Sequence, residues 1–294
     1  MENHSYSSQG WKNVLLILVP FLVAEGIFQY IALRILGLDF SSLGHLTRDD
    51  QFFVIAFFDL IAVSFIVSVF TVYVVKKKFA TVGFRPGFIF NDIIIGILAG
   101  LVIMLAALLI LAGSGQIAVE KLDSNVGDSL WILGTFVFVG ISEELLLRGY
   151  VLNNLMVSFN KYIALGISSA LFAFMHIANP NLDIFGILGL FFAGLFMGYG
   201  YIVTGNLWLP IALHFSWNFF QSFLGFNVSG HDFYSYVIFT FSRENVWNGG
   251  YFGFEGSVIS LIFQSAAIVV FYYILRNRRS ANAVNPPNDL EEPA

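Results

Sequence analysis

Hydrophobic residues fall into eight long runs along the chain, and short polar segments separate the runs. Each run has roughly the 20 residues that an α-helix needs to cross the hydrocarbon core of a bilayer. The runs cover residues 11–36, 51–75, 90–111, 129–147, 162–177, 182–203, 207–226 and 257–275. Because lipid offers no hydrogen bonds to an open backbone, the pattern predicts an all-α membrane protein, a polytopic bundle of about eight transmembrane helices.

The composition supports this class. Hydrophobic residues make up 57% of the 294 residues, charged residues make up 11%, and the mean hydropathy is +0.79, outside the range of soluble domains. The chain has no cysteine, which excludes disulfides and thiolate catalysis. Its net charge of -5 lies mostly in loops and tail and gives no indication of nucleic-acid binding.

We divide the chain into three parts. A polar N-terminal tail (1–10) precedes a single transmembrane domain (11–279), whose core (129–226) carries the polar motifs described below. The first hydrophobic run is too long for the apolar region of a cleaved signal peptide, so we expect it to be retained. The segment 280–294 contains prolines and terminal acids and is predicted to be a disordered cytoplasmic tail.

Basic residues are concentrated in the loops on one side of this bundle. That side receives Lys76, Lys77, Lys78, Arg85, Lys161, Arg276, Arg278 and Arg279, and the other side receives Arg48, Lys121 and Arg243. Since basic loops favour the cytoplasm, both termini are predicted to be cytoplasmic. The connection from residue 227 to 256, rich in aromatic residues and glycine, is then expected to cap the outer face.

The fourth run contains charges that a bilayer tolerates only at a cost of at least ~2.5 to 3.5 kcal/mol each. They are Glu143, Glu144 and Arg148. On a helix, Glu144 and Arg148 are four residues apart and can form a pair, whereas Glu143 points about 100° away. The other polar side chains that we single out within the runs are His176, His214 and Asn218. We expect Glu143 to converge with these three.

A count of about 1.5 Å per residue tests this convergence. Glu143 and His214 then lie at similar depths, close to the cytoplasmic boundary, whereas His176 lies near the far side. The depths agree if the fifth helix breaks in mid-membrane near Pro180. The polar residues of the break, Asn179, Asn181 and Asp183, would then lie beside a water-filled cavity. We expect this cavity to be reached from the cytoplasm.

Three motifs now carry a resemblance. Glu143-Glu144-x-x-x-Arg148-Gly149, Phe172-x-x-x-His176 and His214-x-x-x-Asn218 occur in this order on successive membrane segments. Together they resemble the motifs of the CPBP family, the Abi or CAAX-protease-like intramembrane proteases related to the Rce1-type CAAX prenyl endopeptidase. Phe254-Glu255-Gly256 also resembles the segment before the last helix in bacterial members. The resemblance implies an intramembrane endopeptidase, in a bacterial cell membrane, that acts on a membrane-embedded peptide or protein.

The chemistry of the residues fits hydrolysis of a peptide bond. Glu143 is the candidate base, and His176 shares or orients the attacking water. His214 and Asn218, on one helix face, are suited to stabilise the oxyanion, a role that the resemblance also implies. Glu144 and Arg148 would support the helix and tune Glu143. We expect that no cofactor is required; in the alternative, Glu143, His176 and His214 would bind a divalent metal such as zinc.

Two other classes of function stay open. A non-catalytic membrane scaffold could keep the fold, since the resembling family includes bacteriocin self-immunity proteins. A proton-coupled transporter could also use intramembrane Glu and His, but its usual inverted repeats are not visible in the sequence. The identity of the substrate and its lipidation cannot be predicted from the sequence.

Overall fold

A computed structural model describes residues 6–284 of the chain, with the side chains of residues 126 and 276–284 left out. Residues 1–5 and 285–294, which include most of the predicted tail, lie outside the described residues. The helices are α1 (Gln9–Ile35), α2 (Asp49–Val69), α3 (Ile89–Gly113), α4 (Ser129–Glu144), α5 (Asn153–Ser158), α6 (Lys161–Met175), α7 (Ile184–Thr204), α8 (Trp208–Phe223) and α9 (Val258–Val284).

The eight hydrophobic runs all correspond to helices, and the protein is an all-α polytopic membrane protein as predicted. Within the described residues, six helical segments are long and apolar enough to cross a membrane. They are Gln9–Ile35, Asp49–Val74, Ile89–Gly113, Ser129–Ser158, Ile184–Thr204 and Val258–Leu275. Two others, α6 and α8, have only 15 and 16 residues. The last helix continues to Val284 and so includes the first five residues of the predicted tail.

The fourth membrane helix is longer than the sequence indicated. A π-helix, Leu145–Leu152, joins α4 to α5, so that one continuous helical segment of 30 residues runs from Ser129 to Ser158. Glu143 therefore lies about 21 Å from either end of this segment, farther from its C-terminal end than the hydrophobic run predicted. All eight residues of the π-helix are buried, which fills the bundle on that side of Glu143.

Small residues bring α3 and α8 into close contact. Gly96 and Gly100 on α3 are buried, and Ser216 on α8 donates a hydrogen bond to the Gly96 carbonyl at 2.8 Å. Small residues allow membrane helices to approach closely. The two glycines of α3 are therefore packing residues. The contact fixes the position of α8, which carries His214 and Asn218.

The chain leaves the helical conformation around Pro180, as expected, while the mid-membrane position of this break stays a prediction. The α6 helix ends at Met175, and α7 begins at Ile184 with Asp183 as its N-cap, which accepts a hydrogen bond from the Gly186 amide at 2.8 Å. The connection from α8 to α9 covers this turn, because Asn179 Nδ2 donates to the Ser229 carbonyl at 3.0 Å. His176 lies at the C-cap of α6 and so faces the middle of the neighbouring α4.

A small antiparallel sheet, which the hydrophobic pattern did not predict, pairs two of the polar connections. Strand β1 (Ile117–Leu122) lies between α3 and α4, and β2 (Val237–Phe241) lies between α8 and α9. The register pairs Ile117 with Phe241 and is irregular between Val119 and Lys121. Buried aromatic residues of α8 and of the α8–α9 connection form an apolar cluster with Ile117 of β1 and with residues of α3. The sheet anchors the cap that covers the site.

The α3–α8 contact leads to a prediction about stability. A Cβ atom at residue 100 would lie 2.7 Å from Ser216 Cβ, so Gly100→Ala must push the two helices apart. We expect a loss of about 1 to 3 kcal/mol, measured as a lower unfolding temperature in detergent.

Gly26→Ala is the matched control, since a Cβ atom at this half-buried helical position would meet nothing within 4 Å. This variant should be as stable as the wild type or slightly more stable. Equal unfolding temperatures for the two variants would contradict the proposed packing.

Candidate active site

One cavity of about 280 Å³ lies between α2, α4, α6, α7, α8 and the α8–α9 connection. The four predicted catalytic residues, Glu143, His176, His214 and Asn218, all line it. Its other polar lining residues are Asp59, Thr135, Asn179, Ser229, His231 and Glu255. Apolar side chains make up most of the remaining wall, as in most sites that bind organic ligands.

Glu143 lies between the two histidines. Its Oε2 atom is 3.9 Å from His176 Nε2 and 4.0 Å from His214 Nε2, both too long for direct hydrogen bonds. The same oxygen is buried and has no hydrogen-bond partner among the described residues. Separations of this size between polar atoms are typical of groups that share a water molecule.

The backbone and Glu144 fix the orientation of both imidazole rings. His176 Nδ1 lies 2.8 Å from the Phe172 carbonyl, and His214 Nδ1 lies 2.9 Å from Glu144 Oε1. A carbonyl or carboxylate oxygen only accepts hydrogen bonds, so each Nδ1 carries a proton. The Nε2 atom of each neutral ring is then an acceptor that faces Glu143.

The predicted pair of Glu144 and Arg148 is present and fully buried. Arg148 Nη1 donates to Glu144 Oε1 at 2.6 Å, with side-chain exposures of 1% and 0%. Arg148 Nη2 also donates to the Gly194 carbonyl at 3.2 Å, and the guanidinium lies 4.9 Å from the centre of the Phe172 ring. The bond from Glu144 to His214 was not predicted: this carboxylate contacts a histidine as well as its arginine.

The cavity opens on the side opposite to the lysine-rich loops. The wall on this open side is formed by residues in the first half of α2 and of α4, such as Phe52 and Phe136, and by the α8–α9 connection. The other side is closed by the buried π-helix. The expectation that the cavity is reached from the end that carries Lys76–Lys78 is therefore wrong, because α4 continues well beyond Glu143. Of the break residues, Asn179 lines the cavity, whereas Asn181 and Asp183 line a separate groove.

Sequence reasoning missed three residues of this site. Asp59 interrupts a hydrophobic run and could have been found in the same way as Glu143. His231, in the α8–α9 connection, lies at the rim of the cavity, where the centre of its ring is 5.5 Å from that of Phe52. Glu255 belongs to the resembling Phe-Glu-Gly segment, but only the folding of the connection brings it into the cavity wall.

Glu255 fastens the cap to the bundle. Its Oε1 atom accepts hydrogen bonds from the Ser229 amide at 2.5 Å and from the Ser229 hydroxyl at 3.0 Å, and its Oε2 atom accepts one from Gln221 of α8. The side chain is buried, and this burial raises the pKa of Glu255 to about 7. Burial, together with the nearby His176, lowers the pKa of His231.

The residues named for a metal do not fit one as they stand. Adjacent ligands of a tetrahedral zinc ion at about 2.05 Å are roughly 3.3 Å apart, less than the two separations measured from Glu143. Within residues 6–284, no group of three His, Asp or Glu side chains is placed to hold a metal ion. That no cofactor is required stays a prediction, with metal binding as its alternative, and no step below uses a metal.

Comparison with known proteins gives one match. Residues 125–220 match the model of a family described as type II CAAX prenyl endopeptidase Rce1-like. This segment contains α4 to α7, most of α8 and all six predicted site residues. No curated protein and no solved structure matches the chain.

The buried ion pair predicts that replacing Arg148 destabilises the protein far more than replacing the exposed Arg48. Arg148→Ala leaves Glu144 buried with one fewer partner, which typically costs about 3 to 5 kcal/mol. Arg48→Ala breaks the exposed pair with Asp50, which measures 2.7 Å, and should cost less than about 1 kcal/mol. Thermal unfolding in detergent compares the two variants. Similar unfolding temperatures for both would contradict the buried role of Arg148.

The raised pKa of Glu255 predicts a pH-dependent stability. The folded state holds the proton up to about pH 7, whereas the unfolded state releases it near 4.5. The protonated carboxyl group therefore stabilises the folded protein fully at a pH below the pKa of the unfolded state. This contribution to the free energy of unfolding, on the order of 3 kcal/mol, is lost as the pH rises through the pKa of the folded state. Unfolding temperatures of the wild type and Glu255→Gln should therefore diverge between these pH values. A difference that does not change with pH would refute this assignment.

Proposed function

Since residues 125–220 match the model of the Rce1-like family of type II CAAX prenyl endopeptidases, we propose that this integral membrane protein hydrolyses a peptide bond of a membrane-associated peptide or protein. The observation that carries the proposal is the position of Glu143 Oε2, which is unpartnered and about 4 Å from the Nε2 atoms of two histidines on other helices. The bilayer surrounds the site and supplies the substrate. A bacterial membrane and cytoplasmic termini stay part of the proposal.

We place the attacking water between Glu143 and His176. Glu143 removes a proton from this water, because its free oxygen faces the cavity and no arginine or lysine neutralises it directly among the described lining residues. His176 Nε2 accepts a hydrogen bond from the second O–H of the water, which keeps this hydrogen, since His176 Nδ1 is committed to the Phe172 carbonyl. A base within hydrogen-bond reach of water contributes roughly 10²- to 10⁴-fold to the rate.

The oxyanion forms opposite this water, against α8. Asn218 lies one helical turn from His214 on the face that lines the cavity, so its amide can donate to the developing charge. His214 can donate from Nε2 only as an imidazolium, because Nδ1 already carries a proton. The Glu144 carboxylate, 2.9 Å from that Nδ1, stabilises the imidazolium form. Glu143 then passes its proton to the leaving amine.

Glu144 and Arg148 are supporting residues in this scheme. Arg148 is 1% exposed and is separated from the cavity by Phe172, whose ring lies against the guanidinium. Its charge prevents Glu144 from remaining an isolated carboxylate in the membrane interior. The pair thereby holds the α4–α8 spacing at which Glu143 faces both histidines.

The catalytic scheme predicts loss of hydrolysis with an intact fold. In a peptide-cleavage assay on the purified protein in nanodiscs, Glu143→Gln should lower kcat by roughly 10²- to 10⁴-fold. Asn218→Ala should lower it by roughly 10²- to 10³-fold, since it removes one oxyanion donor. Glu120→Gln is the matched control, because this glutamate is exposed on β1.

The same variants separate the alternatives. A cellular phenotype that survives Glu143→Gln at an unchanged protein level would exclude hydrolysis as the function and favour a scaffold or immunity role. Our scheme is metal-independent, so cleavage should persist in a chelator. Loss of cleavage in the chelator, with recovery on addition of zinc, would replace it by a metal-dependent one.

A further inference from the structure

A second carboxyl group lies on the cavity wall beside Glu143. The α2 helix presents Phe52, Ile55, Ala56 and Asp59 to the cavity, a spacing that places all four on one helix face. Phe52 lies at the rim against His231, and Asp59 lies at the inner end of this face. The Oδ1 atom of Asp59 is buried and has no hydrogen-bond partner among the described residues.

The surroundings of Asp59 are acidic. Glu25 on α1 and Glu143 on α4 both lie within electrostatic range of it. Gln29 hydrogen-bonds to Asp59 and also approaches Glu25, with Nε2 at 3.5 Å from Oε1. None of the described residues that line the cavity is a lysine or an arginine. The nearest buried guanidinium, Arg148, is bonded to Glu144.

This arrangement lacks a cation. Carboxyl groups within a bilayer are costly and are normally paired, but Asp59 stands on the cavity wall and its Oδ1 atom has no partner among the described residues. A purely structural polar contact between α1 and α2 would not require a carboxyl group on the cavity wall. A positive group in the cavity would compensate Asp59, with Glu25 adding to the attraction.

We propose that Asp59, with Glu25 behind it, forms a subsite that receives a lysine or arginine side chain of the peptide substrate. The inference rests on the proposed peptidase function and names the class of substrate. Asp59 is ten residues into α2 and Glu143 is fourteen residues into α4, which places them about 15 and 21 Å from the same end of the bundle. The difference of about 6 Å equals roughly two residues of extended peptide. The basic side chain therefore lies within about two residues of the scissile bond.

The test is a positional-scanning library of quenched fluorescent peptides, cleaved by the full-length protein in nanodiscs. Each position carries lysine, arginine, the uncharged norleucine or glutamate. We expect the wild type to cleave lysine and arginine peptides with a kcat/KM on the order of 30-fold or more above norleucine peptides at one position near the scissile bond. Asp59→Asn should bring this ratio close to one, mainly by raising KM for the lysine and arginine peptides.

Three further variants serve as controls. Asp59→Glu keeps the charge and should keep a preference for basic peptides. Glu25→Gln should weaken the preference partly, because this group is not on the cavity wall. Asp50→Asn makes the same chemical change on the same helix, in an ion pair with Arg48 outside the cavity, and should leave the preference unchanged.

The outcomes separate this inference from the function on which it rests. A wild type that cleaves peptides without a preference for basic residues overturns the subsite, as does an Asp59→Asn variant that slows all peptides equally. A preference that Asp59→Asn leaves intact also overturns it. Cleavage of no peptide by the wild type, or equal cleavage by Glu143→Gln, refutes the peptidase proposal itself and the subsite with it.

Discussion

A single carboxylate oxygen joins the helices that carry the site. Glu144 Oε1 accepts hydrogen bonds from Arg148 on its own helical segment and from His214 on α8, at 2.6 and 2.9 Å. All three side chains are buried, so neither bond competes with water, and each is charge-assisted. The orientation of His214, and with it the separation from Glu143, depends on this oxygen. Tight packing of α3 against α8 through Gly96 and Gly100 then prevents α8 from moving away.

The site lies between a group of packed helices, which forms its base, and the cap, which hydrogen bonds hold in place. The base is made of apolar helices, and its polar atoms are largely committed to partners. The cap is the connection between α8 and α9. It is attached to the rest of the protein through the β1–β2 pair and is held together by the hydrogen bonds between Glu255 and Ser229. The cap also contacts the turn that contains Pro180, where Asn179 donates a hydrogen bond to the Ser229 carbonyl.

Much of this architecture could be predicted from the sequence, because a hydrophobic background makes each polar exception visible. The helix count, the pair of Glu144 and Arg148, the break near Pro180 and the convergence on Glu143 all follow from spacing along single helices. The direction of the cavity could not be predicted in this way. It depends on the π-helix after Glu144, whose residues are as apolar as those of an ordinary helix. The roles of Glu255 and His231 depend on contacts between residues far apart in the chain, which no local pattern encodes.

The shortness of α6 has a consequence for the surrounding bilayer. Its 15 residues span about 22 Å, less than the roughly 30 Å of a typical hydrocarbon core. Phe174, Ile177 and Ile184, around the end of this helix, are exposed by 66%, 59% and 62% and present apolar surface to lipid. A short apolar helix is accommodated by local thinning of the membrane. Beside α6, a lipid-embedded chain therefore has less hydrocarbon to cross before it meets the aqueous phase.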